Sequence, residues 1–217
     1  MLRHSRLSHC SSTLDKPSFS VTYFLTHFHV DHYTGLTPHW ARGLILCSEV
    51  TTRLLVECLK ISEALVVPLI VGEIVRIDDY EVMLIEANHC PGAVQILFRV
   101  STRDGEIKRY VHMGDMRYSS NMKLKPVLYE FIGVDTVYLD TTYYNPKFVF
   151  PSQEESVEYI ANIVHRIMRE HNDSIEIKVE KLQKNSSVLF LISAYVVGKE
   201  KILTAVSRRY NFPVSRR

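Results

Sequence analysis

The sequence predicts a mixed α/β (α+β) chain, strand-rich through its first two-thirds and closing on a β–α unit. Three observations predict this. Short β-branched and aromatic runs recur between residues 20 and 140, punctuated by Gly, Asp and Asn. Two longer segments, 48–60 and 152–171, carry apolar residues at helical period. With 217 residues, 46% of them hydrophobic, the chain can bury one sizeable core or two small ones.

Residues 20–25, SVTYFL, predict a strand from their β-branched and aromatic content. A histidine-rich stretch follows where that strand ends, in an expected loop. The spacing predicts a helix over 48–60. Ser48 suits its N-cap, Glu49 its first turn, and Val50, Leu54, Leu55, Cys58 and Leu59 share a face. Strands are expected at 65–70, 74–77, 81–87, 93–100, 108–113 and 135–140. The tetrapeptide RDGE marks a hairpin, and Asp-Gly suits a type I′ bend. In FPSQEESVEYIANIVHRIMREHN, Ser152 and Glu155 form a capping box. Val157, Ile160, Ala161, Val164, Ile167 and Met168 make the apolar stripe of the clearest helix. Arg166, Arg169 and His171 suit its C-terminal end. Residues 174–187 are charged and poorly patterned, so a loop or insertion is expected there. SVLFLIS (187–193) predicts a buried strand and 198–210 a last helix.

Composition narrows the function classes. The net charge of +2 is too balanced to imply nucleic-acid binding by itself. The four cysteines, Cys10, Cys47, Cys58 and Cys90, form no CxxC pair and point to a reduced intracellular protein. No apolar run approaches the roughly 20 residues that span a membrane. The first twenty residues, with Asp15 their one acid, predict a disordered start. Their Ser and Arg content also resembles a transit peptide.

The chemistry concentrates in THFHVDH, residues 26–32. Imidazoles at i and i+2 can converge on one cation. Asp31 and His32 then point to another position, so one short loop can serve two metals about 3.5–4 Å apart. His89, in EANHCPGA, and Asp115, in HMGDMR, both follow strand-like runs. Strand ends are where loops distant in sequence meet on one sheet edge, which makes both candidate ligands rather than a structural histidine and a turn residue.

With those residues in view, the chain resembles the metallo-β-lactamase-fold β-CASP nucleases, and among them the DNA interstrand cross-link repair exonucleases, the family of Artemis and Apollo. The stretches that carry the resemblance are FLTHFHVDHYTGL, LCSE, EANHCPGAVQILF, HMGDMR, YLDTTYYNPKFVFPSQEE and GKEK, in family order from residue 22 to about 203. HxHxDH alone indicates the superfamily. NHCPGA, LDTTY, FPSQ and GKEK are far more specific, and they argue against a thioester hydrolase. The resemblance implies an αββα sandwich over 21–150 and the beginning of a β-CASP domain over 151–217. It implies that His27, His29 and His89 bind a first metal, that Asp31 and His32 serve a second, and that Asp115 bridges them. Zinc is the usual metal. Asp140 is implied to be an acid beside the site. Thr141, Thr142, Ser152 and Lys199 are candidates for phosphate contact. Asp31, Asp115 and Asp140 are the expected catalytic acids, and Cys90 is expected to pack rather than ligate. The implied activity is 5′-to-3′ trimming of 5′-phosphorylated DNA in the nucleus, with no membrane role.

Against that family pattern the chain is expected to be truncated at both ends. Two histidines that the family carries beyond GKEK have no counterpart after Lys201. The alternatives are therefore a catalytically impaired fragment of such a nuclease, or a β-CASP nuclease that processes RNA.

Overall fold

The structure is a computed structural model that describes residues 2–3, 22–178, 188–193 and 196–214. Its chain divides into two units, Met1–Tyr143 and Tyr144–Arg217, each with its own core.

In the first unit the period-two runs become two sheets. One has the order β1-β2-β3-β4, formed by β1 (Leu2–Arg3), β2 (Thr22–Phe24), β3 (Leu44–Ser48) and β4 (Val66–Leu69). The strands β2, β3 and β4 are parallel, while β1 lies antiparallel on β2. The other has the order β5-β6-β7-β8-β9: β5 (Ile74–Ile77), β6 (Tyr80–Glu86), β7 (Val94–Ser101), β8 (Ile107–His112) and β9 (Thr136–Tyr138). It is antiparallel except for the β8–β9 pair.

Alternation decides the layering. Phe24, Leu46 and Leu69 of the first sheet meet Val82, Leu84, Ile96 and Phe98 of the second in one core. Ile45 and Cys47 point the other way and are fully buried as well. The helix α2 (Glu49–Leu59) packs on β3 and β4 and covers that outer face with Leu55. On the far side of the second sheet, Ile85, Leu97 and Val111 pack with Phe131, Val127 and Leu128 at and just after the short helix α3 (Pro126–Tyr129). The order is helix, sheet, sheet, helix.

Phe24 sits where the two sheets interlock. Its ring meets Phe98 edge-on at 5.0 Å, and Tyr80 at 6.4 Å. Phe24→Ala is expected to cost about 3–5 kcal/mol of stability through lost burial and the cavity left behind, which chemical denaturation will measure. A loss below about 1 kcal/mol would contradict this packing.

The second unit pairs α4 (Gln153–Lys178) with α5 (Glu200–Tyr210). Ala161, Val164 and Val206 form its core. The capping box is present: the Ser152 hydroxyl accepts the Glu155 N–H at 3.0 Å, and the Glu155 carboxylate accepts the Ser152 N–H at 2.6 Å.

Five expectations are corrected. The helix α4 runs past His171 to Lys178, so residues 174–178 are helical; SIEIK holds no Gly or Pro to stop it. Arg166, Arg169 and His171 therefore lie inside the helix rather than at its end. The rest of the expected loop, 179–187, lies outside the described residues. Residues 188–193 form no strand, and Leu189 and Leu191 are 73% and 84% exposed. An apolar run becomes a strand only with an edge to pair with, and none meets it among the described residues. At the start of the chain, Leu2–Arg3 is a strand rather than disordered; residues 4–21 lie outside the described residues. The RDGE hairpin forms with a different turn. Gly105 has φ +84°, its N–H bonds the Thr102 carbonyl, and Asp104 keeps an ordinary φ. That is a type I turn closed by a glycine bulge, not type I′. Finally, the histidine cluster is not all loop: residues Val30–Tyr33 make a one-turn helix, α1.

Candidate metal centre

Four segments build the site, each fixed by its own backbone. After β2 the chain is clamped between the sheets: the Leu25 N–H bonds the Leu46 carbonyl, and the Thr26 carbonyl accepts the Val94 N–H, both at 3.0 Å. His27 therefore lands on the rim of the sandwich with no exposed surface. His29 caps α1, its carbonyl taking the N–H groups of His32 and Tyr33. That single turn swings Asp31 and His32 to the neighbouring position.

The His89 loop leaves β6 through Asn88, whose φ of +53° an Asn tolerates better than most residues. It returns at Gly92, whose carbonyl accepts the Ser48 hydroxyl at 2.7 Å. A Cβ at Gly92 would lie 2.8 Å from Cβ of Val50, so the close approach of this loop to α2 requires glycine. The Asp115 loop leaves β8 through Gly114 at φ +57°. Its N–H bonds Nδ1 of His112 at 3.1 Å, and the His112 ring stacks on Tyr138. The two loops are also tied to each other. The Arg117 N–H bonds the Ala87 carbonyl, and the Asn88 amide donates to the Arg117 carbonyl, both at 3.1 Å.

The result is two adjoining donor sets among the described residues: His27, His29, His89 and Asp115, and beside it Asp31, His32 and Asp115. Within the first set, His29 Nδ1 lies 3.1 Å from both His27 Nε2 and His89 Nε2. One imidazole nitrogen offers a single proton or a single lone pair, so it cannot satisfy two other imidazoles by hydrogen bonding. Donors about 2.0–2.1 Å from a tetrahedral zinc lie roughly 3.3–3.4 Å apart, close to these separations. The Asp115 carboxylate divides its oxygens. Oδ2 lies 3.7 Å from His27 Nε2 and 3.8 Å from His89 Nε2, while Oδ1 lies 3.2 Å from His32 Nε2. Asp31 approaches His32 Nε2 at 3.6 Å with its carboxylate largely in solvent. Imidazoles and carboxylates without thiolate fit a divalent cation, and the sets can hold one each.

Burial first, and the neighbouring imidazoles second, drive the His27 pKa down from 6.5 to about 2. Burial lowers that of His89 too, against the pull of Asp115. Both rings are therefore neutral at pH 7, the form that binds metal. The sign for metal-free protein follows. The unfolded chain takes up the His27 proton near pH 6.5 and the folded chain refuses it. Stability contributed by this group is complete above pH 6.5 and is lost as pH falls toward 2, by about 1.4 kcal/mol per pH unit for one proton. In chelator, the melting temperature should be lower at pH 5.5 than at pH 7.5. An equal or higher value at pH 5.5 would refute this account.

The remaining predicted residues fall in two groups. Asp140 lies two residues past β9. Hydrogen bonds from Thr142, first its side chain and then its N–H, hold its carboxyl below the usual range, and the His89 and His32 charges act in the same direction. Thr142 is thus engaged in holding Asp140, which belongs to neither donor set. Thr141 is exposed. Ser152 and Lys199 belong to the second unit, where the Ser152 hydroxyl caps α4 and Lys199 donates to the Ser193 carbonyl at 3.0 Å. Neither belongs to the two donor sets. Cys90 is in neither set, although it adjoins His89. Sequence reasoning passed over Thr26, whose hydroxyl sits 3.0 Å from His27 Nδ1.

The chain is 40% identical to the DNA cross-link repair protein SNM1 of Arabidopsis thaliana over 186 residues, which are 86% of this chain and 34% of that protein. It is 38% identical to mouse 5′ exonuclease Apollo over 171 residues, 76% of this chain and 30% of that one. Over most of its own length the chain is a homologue of these DNA cross-link repair proteins. It is also 48% identical over 196 residues to DNA ligase 6 of Arabidopsis thaliana, covering 90% of this chain and 13% of that protein. It thus spans between 13% and 34% of the length of these relatives. No protein-family model matches it. Among solved structures, the subclass B3 metallo-β-lactamase MEM-A1 aligns over 42% of this chain and 40% of its own, with 20% identity and a TM-score of 0.34.

Proposed function

We propose that this chain is a metal-dependent phosphodiesterase acting on DNA, a 5′-to-3′ exonuclease of interstrand cross-link repair working in the nucleus. In this reading the first unit is a metallo-β-lactamase-type sandwich and the second begins a β-CASP domain. One observation carries it: Asp115 offers one carboxylate oxygen to each of two adjoining donor sets. His27, His29, His89 and Asp115 would hold one zinc, and Asp31, His32 and Asp115 a second. Bound there, the cations would supply Lewis acidity toward water and a phosphate oxygen.

The chain's own residues set the stage for that chemistry. Burial keeps His27 neutral. The paired loops hold His89 and Asp115 in register. Asp140, whose carboxyl the Thr142 hydrogen bonds hold below its usual range, would add negative charge near the cluster, suited to holding a cation or orienting a water. Thr141, which is exposed, remains a proposed contact to a phosphate in the first unit, with Thr142 beside it holding Asp140; Ser152 and Lys199 remain proposed phosphate contacts within the second unit.

Zinc analysis of the purified chain, with cleavage of 5′-phosphorylated single-stranded DNA and of the matching RNA, tests the proposal. About two equivalents of zinc and chelator-sensitive DNA trimming support it. Absence of bound metal, or cleavage indifferent to chelator, overturns it. Preference for the RNA strand favours the RNA-processing alternative. A second reading has its own observation behind it. The Asp31–His32–Asp115 set offers three donors, and Asp31 is exposed, so the second cation would bind weakly. One tight equivalent with no cleavage would select that reading, a metal-binding but catalytically impaired fragment.

A further inference from the structure

We infer that Thr26 is a positioning residue for the metal centre: its hydroxyl selects the tautomer of His27, and its methyl braces the turn that presents Asp115. The inference rests on the metal-centre reading above and deepens it.

Thr26 is itself buried. Its Oγ1 lies 3.0 Å from His27 Nδ1, while Nε2 of the same ring faces His29 Nδ1 and the Asp115 carboxylate. A neutral imidazole carries one ring proton. On Nε2 that proton would point into the donor set and occupy the lone pair that a cation needs. On Nδ1 it meets the Thr26 oxygen and leaves Nε2 bare; the hydroxyl can accept or donate, and the arrangement that leaves the donor set open to a cation is the one in which it accepts. Carboxylates, backbone carbonyls and water commonly receive the second N–H of a metal-binding imidazole. Here the neighbour is a hydroxyl, at a ring with no solvent exposure.

The other side of Thr26 faces the second sheet. Its Cβ and Cγ2 lie 3.0 and 3.1 Å from where a Cβ on Gly114 would stand, one residue before Asp115. Its carbonyl accepts the Val94 N–H at the start of β7. A single residue therefore touches His27, the second sheet and the Asp115 turn, and it joins donors that lie 88 positions apart in the chain (115 − 27).

Two substitutions separate the roles. Thr26→Val keeps the branched shape against Gly114 and removes the hydroxyl; Thr26→Ser keeps the hydroxyl and removes the methyl. The ring nitrogens of His27 are read by 15N NMR on metal-free full chain, and zinc affinity by competition with a chelating dye. Wild type should show the proton on Nδ1. Thr26→Val should shift it toward Nε2 and weaken zinc binding about 10–100-fold. Thr26→Ser should keep the wild-type tautomer and bind zinc more tightly than the Val variant. An Nε2 proton in wild type, wild-type tautomer and affinity in Thr26→Val, or equal losses in both variants would overturn the inference. If the Val variant does not fold, the wild-type tautomer and the Ser variant still decide it. Absence of zinc binding by wild type would instead sink the metal-centre reading, while the tautomer data judge Thr26 separately.

Discussion

On the proposed function, replacing Asp115 with alanine should abolish metal-dependent DNA cleavage, by roughly 10³-fold or more, and reduce bound zinc at both proposed positions together. No other residue belongs to both donor sets. Its Oδ1 stands 3.2 Å from His32, and its Oδ2 stands 3.7 and 3.8 Å from His27 and His89. Its loss would remove the negative charge shared by the two donor sets and leave the second set with Asp31 and His32 alone. Metal-ion catalysis supplies several kcal/mol of transition-state stabilisation, and each 1.36 kcal/mol is tenfold in rate. Asp31→Ala is the matched control. It touches the second set only and should leave the first zinc in place. Metal analysis of both variants checks the contrast. Retention of both equivalents in the Asp115 variant would show that the carboxylate does not bridge.

The local half of this site was legible in the sequence, and the long-range half was not fully so. The spacing of His27, His29, Asp31 and His32 is a local property, and the rise of a strand end followed by one helical turn converts it directly into two directions. His89 and Asp115 were legible as strand-end residues, which fixes the sheet edge they reach but not which oxygen or nitrogen meets which. The pairing of Asp115 oxygens depends on the Arg117–Ala87 and Asn88–Arg117 hydrogen bonds. Those depend on β6 and β8 both flanking β7, a topological fact no short pattern carries. Half of the Thr26 role was illegible for the same reason, since its approach to Gly114 is remote in sequence; its contact with His27 joins neighbours in the chain and was simply passed over. In the fold, the helix α2 with its Ser48 cap was readable because caps and period are local. SVLFLIS misled because hydrophobicity reports a tendency toward burial, whereas a strand also needs a free edge. The RDGE turn misled because the hairpin register, not the Asp-Gly pair, chooses the turn type.

Replacing His29 with alanine should separate metal binding from stability. Zinc affinity and any DNA cleavage should be lost, while the metal-free fold is kept. His29 Nδ1 is the hub of the first set, 3.1 Å from the nitrogens of both His27 and His89. Its removal takes away the donor nearest both of the others. In metal-free protein that nitrogen can hydrogen-bond only one of its two imidazole neighbours, so little hydrogen bonding is lost with it. His29 is also only half-buried, and it contributes to none of the clusters of buried apolar residues described above. Thermal unfolding with and without zinc reads both effects. A ligand at 100 times its dissociation constant adds about 2.7 kcal/mol to the folded state; wild type should gain on that order and the variant almost nothing. A variant that unfolds easily without metal would mean that His29 is a packing residue. A variant that keeps the zinc-dependent gain would mean that the first cation does not sit among these three imidazoles.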